Sequence, residues 1–173
     1  MVTRRTLWAA LVLAALGAGL FVAARRPAPP PTDEELIRAA FIAAARAASE
    51  RKAGEVMQLA SERFHGGGLD RREVHQVVVG QLLRSAWASA TVAGLSIEAE
   101  GARARANVDV ILAGATAGGK GPSELLPDEA SAYRFRCGLE REAEGWRVVT
   151  AEWQPISLAD ALAGPPAVDA ANP

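Results

Sequence analysis

The sequence predicts a single small α+β domain, with three N-terminal helices packed on a four-stranded antiparallel sheet and one transmembrane or signal helix ahead of them. Three observations carry this. Residues 7–24 hold no charged side chain. Residues 33–84 repeat their apolar positions at helical spacing. From Trp87 onward the period becomes two, as in strands.

As a helix, Leu7 to Ala24 spans roughly 27 Å, close to the hydrocarbon thickness of a bilayer. Arg4 and Arg5 precede it, and Arg25 and Arg26 follow it. Residues 1–24 are therefore expected to be a signal anchor, with a signal peptide cut after Val22-Ala23-Ala24 as the alternative. Trp8 suits the interface. The acidic Asp33-Glu34-Glu35 places the domain outside, on a single-pass inner or cytoplasmic membrane protein, or exported if the segment is cleaved. Residues 25–32 form a stiff Pro-rich linker.

The domain is expected over 33–158. Thr32 and Glu35 have capping-box spacing, and a helix runs from Asp33 to about Lys52 on a stripe of Leu36, Ile37, Ala40, Phe41, Ala44 and Ala48. A second helix is expected over 54–63, ended by Gly66-Gly67-Gly68. Asp70 and Glu73 repeat the cap logic for a third helix to about Arg84. Strands are expected over 86–97 (kinked at Gly94), 102–112, 130–140 and 146–156. In the second, Ala104, Ala106, Val108 and Val110 alternate with Arg103, Arg105, Asn107 and Asp109, so one face is covered and the other wetter. Residues 114–127 read as a loop, and 159–173 as a disordered tail.

Composition narrows the function classes. The chain has 173 residues, half hydrophobic, with a formal charge of −1 and a pI near 6.2. That balance gives no basic face for nucleic acid. Cys137 is the single cysteine. It cannot form an internal disulfide, and its place in an alternating strand makes it a small buried hydrophobe. No cofactor is expected.

The long capped helix, the short second helix, the helix from Asp70, and four long strands ending in Gly145-Trp146-Arg147-Val148-Val149-Thr150-Ala151-Glu152-Trp153 resemble the nuclear-transport-factor-2-like superfamily. That superfamily includes ketosteroid isomerase and the SnoaL-like cyclases. The resemblance covers about Asp33 to Ser157 and implies a curved, cone-like sheet. The small strand pair usual between the helices is not evident. The order of membrane segment, linker and cone domain also resembles the Mce-associated membrane proteins and the periplasmic scaffold components of type IV secretion, whose domains assemble partners. The fold alone does not decide function.

Candidate residues are few. His65 and His75 lack metal-ligand spacing, so a capping or surface role outweighs a metal site, and no metal is expected. The triple glycine is followed by Leu69-Asp70, not the Lys and Ser/Thr of a phosphate loop. Tyr133, Asp109, Glu152 and His75 are the groups that could line a ligand pocket, but alternation sets Tyr133 with Phe135 and Leu139, apart from Asp109. No catalytic residue is assigned. Arg103, Arg105, Arg134 and Arg136 alternate on neighbouring strands and could present a mixed-charge ladder to a partner. Trp87, Trp146 and Trp153 read as core or cone-lining bulk. The expected function is a membrane-tethered, non-catalytic accessory or protein-interaction domain on the extracytoplasmic side, contacting a protein partner or a second copy through its sheet. The alternative is a small-molecule binding protein, or an acid/base enzyme of isomerase, cyclase or dehydratase type, using the cone pocket.

Overall fold

The computed structural model describes residues 29–84, 87–114 and 130–168. The apolar run 7–24, the first part of the linker, most of the loop after Gly114 and the chain from residue 169 lie outside the described residues. Among the described residues no helix is long and apolar enough to cross a membrane.

Helix α1 spans Asp33–Ser49 and begins where the capping box places it. The Glu35 amide donates to the Thr32 hydroxyl (3.3 Å), and the Thr32 amide donates to the Glu35 carboxylate (2.8 Å). Ile37, Phe41 and Ala47 face inward. Helix α2, Ala53–Met57, is only five residues long. The helix expected over 54–63 therefore stops early, and Ala60–Gly66 forms strand β1 instead. Strand β2, Leu69–Asp70, pairs back on it. Gly67 (φ 56°) and Gly68 (φ 79°) supply the two left-handed residues that a two-residue hairpin turn requires. Tertiary pairing decides the outcome. As a strand, Ala60–Gly66 buries Phe64 and lays its backbone along the far edge of the sheet, which outweighs a weak helical pattern.

Helix α3 covers Arg71–Arg84. Its start is locked by the Glu73 amide on the Asp70 carboxylate (2.8 Å) and the Asp70 amide on the Glu73 carboxylate (2.9 Å). Strands β3 (Trp87–Glu100), β4 (Arg103–Gly114), β5 (Ala130–Glu142) and β6 (Gly145–Ile156) follow as a meander. Register irregularities in β3 fall at Trp87/Ser89 and Val92/Gly94, the second at the glycine where a kink was expected.

The sheet has six strands, not four, in the order β2-β1-β6-β5-β4-β3. It is antiparallel except where β1 runs parallel to β6. There are four helices among the described residues, not three. The fourth, α4, is Leu158–Ala163, and all but its first residue fall in the stretch 159–173 expected to be disordered. Ser157 caps it by accepting from the Asp160 amide (3.0 Å), and Ala161 is fully buried. A buried small residue on a capped turn docks a segment whose Ala and Pro content reads as unstructured.

One sheet face carries Ala104, Ala106 and Val108 of β4, which register opposite Leu139, Cys137 and Phe135 of β5. With Val148, Ala151, Ile37, Phe41 and Phe64 they form the core. Each large aliphatic or aromatic side chain buried there stabilises the fold by roughly 1.5–3 kcal/mol. Trp146 closes one end of the core, donating its indole N–H to Asp33 (3.3 Å). The opposite, outer face holds the charged half of the alternation. At one end α4 and Gly164–Val168 lie across it. Gly94 lets them pass, since a Cβ there would stand 2.5 Å from the Pro165 ring.

Candidate functional site

The larger described cleft, about 910 Å³, lies on the outer face between the β1–β2 hairpin and Pro166–Val168. Its floor is set by register. Arg105, Gly138, Thr150 and His65 line up across β4, β5, β6 and β1, and Asp70 of β2 ends the row. Asn107, Arg136 and Glu152 form the next row on the same face. A glycine in mid-strand marks a close approach. Here a Cβ on Gly138 would stand 2.5 Å from the Thr150 hydroxyl, so the floor stays open only because position 138 has no side chain. A second cleft, about 690 Å³, adjoins the first across Arg105, Gly138 and Thr150.

The polar groups of the cleft differ in what they touch. Arg105 bridges to Glu98 (3.0 Å). Asn107 donates to the Pro166 carbonyl (3.1 Å) and the Ala167 carbonyl (3.4 Å), which fastens the C-terminal segment as one wall. Asp70 and Glu73 hold each other's backbone amides. His65 lies at hydrogen-bond distance (3.3 Å) from the Arg63 carbonyl. Arg136 and Glu152 are both exposed and face into the cleft. Among the described residues, no group of three His, Cys, Asp or Glu side chains could hold a metal ion.

The residues singled out in the sequence are not brought together. Tyr133 sits on the core face, opposite Val110 and Pro155. Asp109 is on the other face and fully buried. Arg134 grips it with two hydrogen bonds, Nε to Oδ1 at 2.7 Å and Nη2 to Oδ2 at 2.8 Å, and reaches the Gly164 carbonyl at 3.4 Å. Hydrogen bonding to Asp109, against the cost of burial, raises the Arg134 pKa further. His75 is exposed on α3, away from both. Of the four ligand candidates, only Glu152 lines the cleft.

The four arginines share a face but not a role. Arg103 makes a loose pair with Glu140 (3.7 Å), and Arg105 and Arg136 line the cleft. Arg134 lies beneath α4, its side chain 15% exposed, so the ladder is not one continuous exposed surface. Trp146 is core, as expected. Trp153 is 40% exposed and packs beside Phe135, with ring centroids 6.5 Å apart. Its ring fills the space where Gly67 lacks a Cβ. Cys137 is buried, and burial pushes its thiol up to about 12.

Gly138, Thr150, Asn107 and the 166–168 segment were missed from sequence. Asn107 and Gly138 carried readable signals, a polar step in a strict alternation and a glycine inside a strand. The wall had none, because its residues read as tail.

No protein-family model matches the chain, and no curated protein matches it by sequence. Solved structures do match. One is an NTF2-like protein with a cystatin-like fold from Novosphingobium aromaticivorans, 22% identical, covering 85% of this chain and 93% of its own, with a TM-score of 0.56. Another is an NTF2-like protein of unknown function from Pseudomonas putida KT2440, 15% identical, covering 79% and 94%, with a TM-score of 0.53. A third is a candidate scytalone dehydratase from Novosphingobium aromaticivorans, 9% identical, covering 72% and 85%, with a TM-score of 0.58. The fold is therefore that of the NTF2-like, cystatin-like-fold proteins, a curved sheet packed with helices. A small strand pair does stand between the helices, the β1–β2 hairpin.

Proposed function

We propose that this domain is a small-molecule binding protein whose site is the outer-face cleft between the β1–β2 hairpin and the C-terminal segment. The observation that carries the reading is the cleft itself. It is large enough for a small organic ligand, and it joins apolar walls to a few fixed polar groups, the usual make-up of a ligand site. The fold is compatible, since a similarly folded protein is a candidate dehydratase. Binding is favoured over an acid–base site built on Asp109 and Tyr133, because Asp109 is locked to Arg134 and lies on the opposite face of the sheet from Tyr133, so these two do not converge as base and donor. It is favoured over the scaffold reading because the arginine ladder is divided between a buried pair and a cleft. The test is a titration of the ¹⁵N-labelled chain with a mixture of uncharged fragments. Shifts confined to Gly66–Gly68, Asn107, Gly138 and their neighbours support the reading. A cleft that responds to no fragment, while another region does, removes it.

A second element of the proposal concerns location. The uncharged run 7–24 between its arginine pairs supports a tether that holds the domain outside a membrane. Membrane fractionation with an intact-mass measurement tests it. A soluble product shortened at Ala24 would replace the tether with a cleaved signal.

A further inference from the structure

We infer that the cleft takes a small zwitterion, an α-amino acid or a compound of that shape, with its carboxylate on Arg136 and its ammonium on Glu152. This rests on the cleft being the ligand site. Arg136 and Glu152 stand directly opposite each other across β5 and β6. Their side chains rise from the same face into the same cleft. Yet among the described residues neither closes an ion pair or a side-chain hydrogen bond, with the other or with any third group. Three other opposite charges in register across this sheet close on each other: Asp109 with Arg134 at 2.7 Å, Glu98 with Arg105 at 3.0 Å, Arg103 with Glu140 at 3.7 Å. In the two further in-register couples, Glu100 with Arg103 and Glu140 with Arg147, the arginine turns to another carboxylate, Glu140 and Glu144 respectively, so Arg136 and Glu152 stand apart in that both members are open. The floor thus presents one open guanidinium and one open carboxylate as nearest cross-strand neighbours, whose Cβ atoms are about 5 Å apart.

The rest of the cleft narrows the ligand. Asp70, Glu73 and Glu152 outnumber Arg105 and Arg136 along its lining, so a phosphate or other multiply charged anion is repelled. A simple cation would leave Arg136 unmatched, and a simple carboxylate would meet Glu152. A zwitterion answers both groups at once, each through a charge-assisted hydrogen bond. Little is lost in separating the two side chains, because an exposed cross-strand pair holds itself together only weakly. Beyond the charged pair, Leu69, Pro166 and Val168 offer apolar wall to a short aliphatic side chain.

The experiment titrates the full chain with a matched set: leucine, 4-methylpentanoate (the same skeleton without the ammonium) and 3-methylbutylamine (without the carboxylate). Cleft amide shifts are the readout. Leucine is expected to bind about tenfold or more tightly than either companion, the difference one charge-assisted contact makes. Arg136→Gln should bring leucine down to the level of the amine, and Glu152→Gln to the level of the acid. Both side chains are exposed, so the amide spectrum of each variant should otherwise match the parent. Equal affinity for the acid or the amine, leucine affinity unmoved by either substitution, or no response to any of the three overturns the inference. If uncharged fragments still occupy the cleft in that event, only the zwitterion is lost. If they do not, the cleft reading falls with it.

Discussion

Replacing Arg134 with methionine leaves the Asp109 carboxylate buried without its counterion. Asp109 is wholly enclosed and accepts both of its strong hydrogen bonds from that one guanidinium. Methionine keeps most of the arginine stem, so lost packing is a minor part of the effect. Breaking a buried pair from one side destabilises by about 3–5 kcal/mol. Against a usual total of about 5–15 kcal/mol, that is a large fraction. For a chain of this size it corresponds to a fall in Tm of about 10 °C. The assay is urea unfolding followed by tryptophan fluorescence, read as a shift in midpoint at constant slope. The double variant Asp109→Leu with Arg134→Met removes both charges together, and should return to within about 1–2 kcal/mol of the parent. A cost below about 1 kcal/mol for the single variant would mean that the pair behaves as a solvated one, and that α4 does not seal it from water. A double variant worse than the single would refute the account outright.

Three further predictions use the same measurements. Thr32→Ala removes the hydroxyl that caps α1 and should cost about 1 kcal/mol, with Thr32→Asn recovering most of it. Gly66→Ala would put a Cβ 2.2 Å from the Ala151 carbonyl oxygen, a backbone atom with no room to move, so it should cost about 2 kcal/mol or more and weaken the β1–β6 pairing. The Cys137 thiol, near 9 when unfolded and raised to about 12 by burial, makes the folded state hold its proton longer. Its contribution is complete below pH 9 and is lost as pH rises from there toward 12, at up to about 1.4 kcal/mol per pH unit; Cys137→Ala should flatten that slope.

Legibility in the sequence followed how local each cause was. Helix α1, its cap and the four long strands were readable because capping boxes and strict alternation act between near neighbours in the chain. The β1–β2 hairpin was not. Ala60–Gly66 is a strand only because β6 lies beside it, and β6 is far away in sequence. The two glycines were read as a helix breaker, when their positive φ values make a turn between strands. Helix α4 was missed for a related reason. Six residues, mostly alanine and leucine, carry little pattern, and their docking depends on a surface built by β3, β4 and β5. The site suffered the same way. Arg105, Arg136 and Glu152 could be placed on one face by alternation, but their convergence needed the register of three strands. Asp109 looked like an available carboxylate until its cross-strand neighbour Arg134 was in place.

The parallel pairing of β1 with β6 also dictates a sequence of events in time. Ser61 bonds to Glu142, 81 residues later, and the Val148 amide reaches back to the Leu59 carbonyl (2.8 Å). Such distant contacts must pay their loop-closure entropy before any bond rewards them, which slows folding. A chain emerging from the ribosome exposes Phe64 and the unpaired edge of β1 for as long as it takes to make β5 and β6. During that interval the segment is the natural handle for a chaperone and the natural point of misassociation. Yield in the cell should therefore respond more to translation speed across residues 67–144 than to changes on the finished surface.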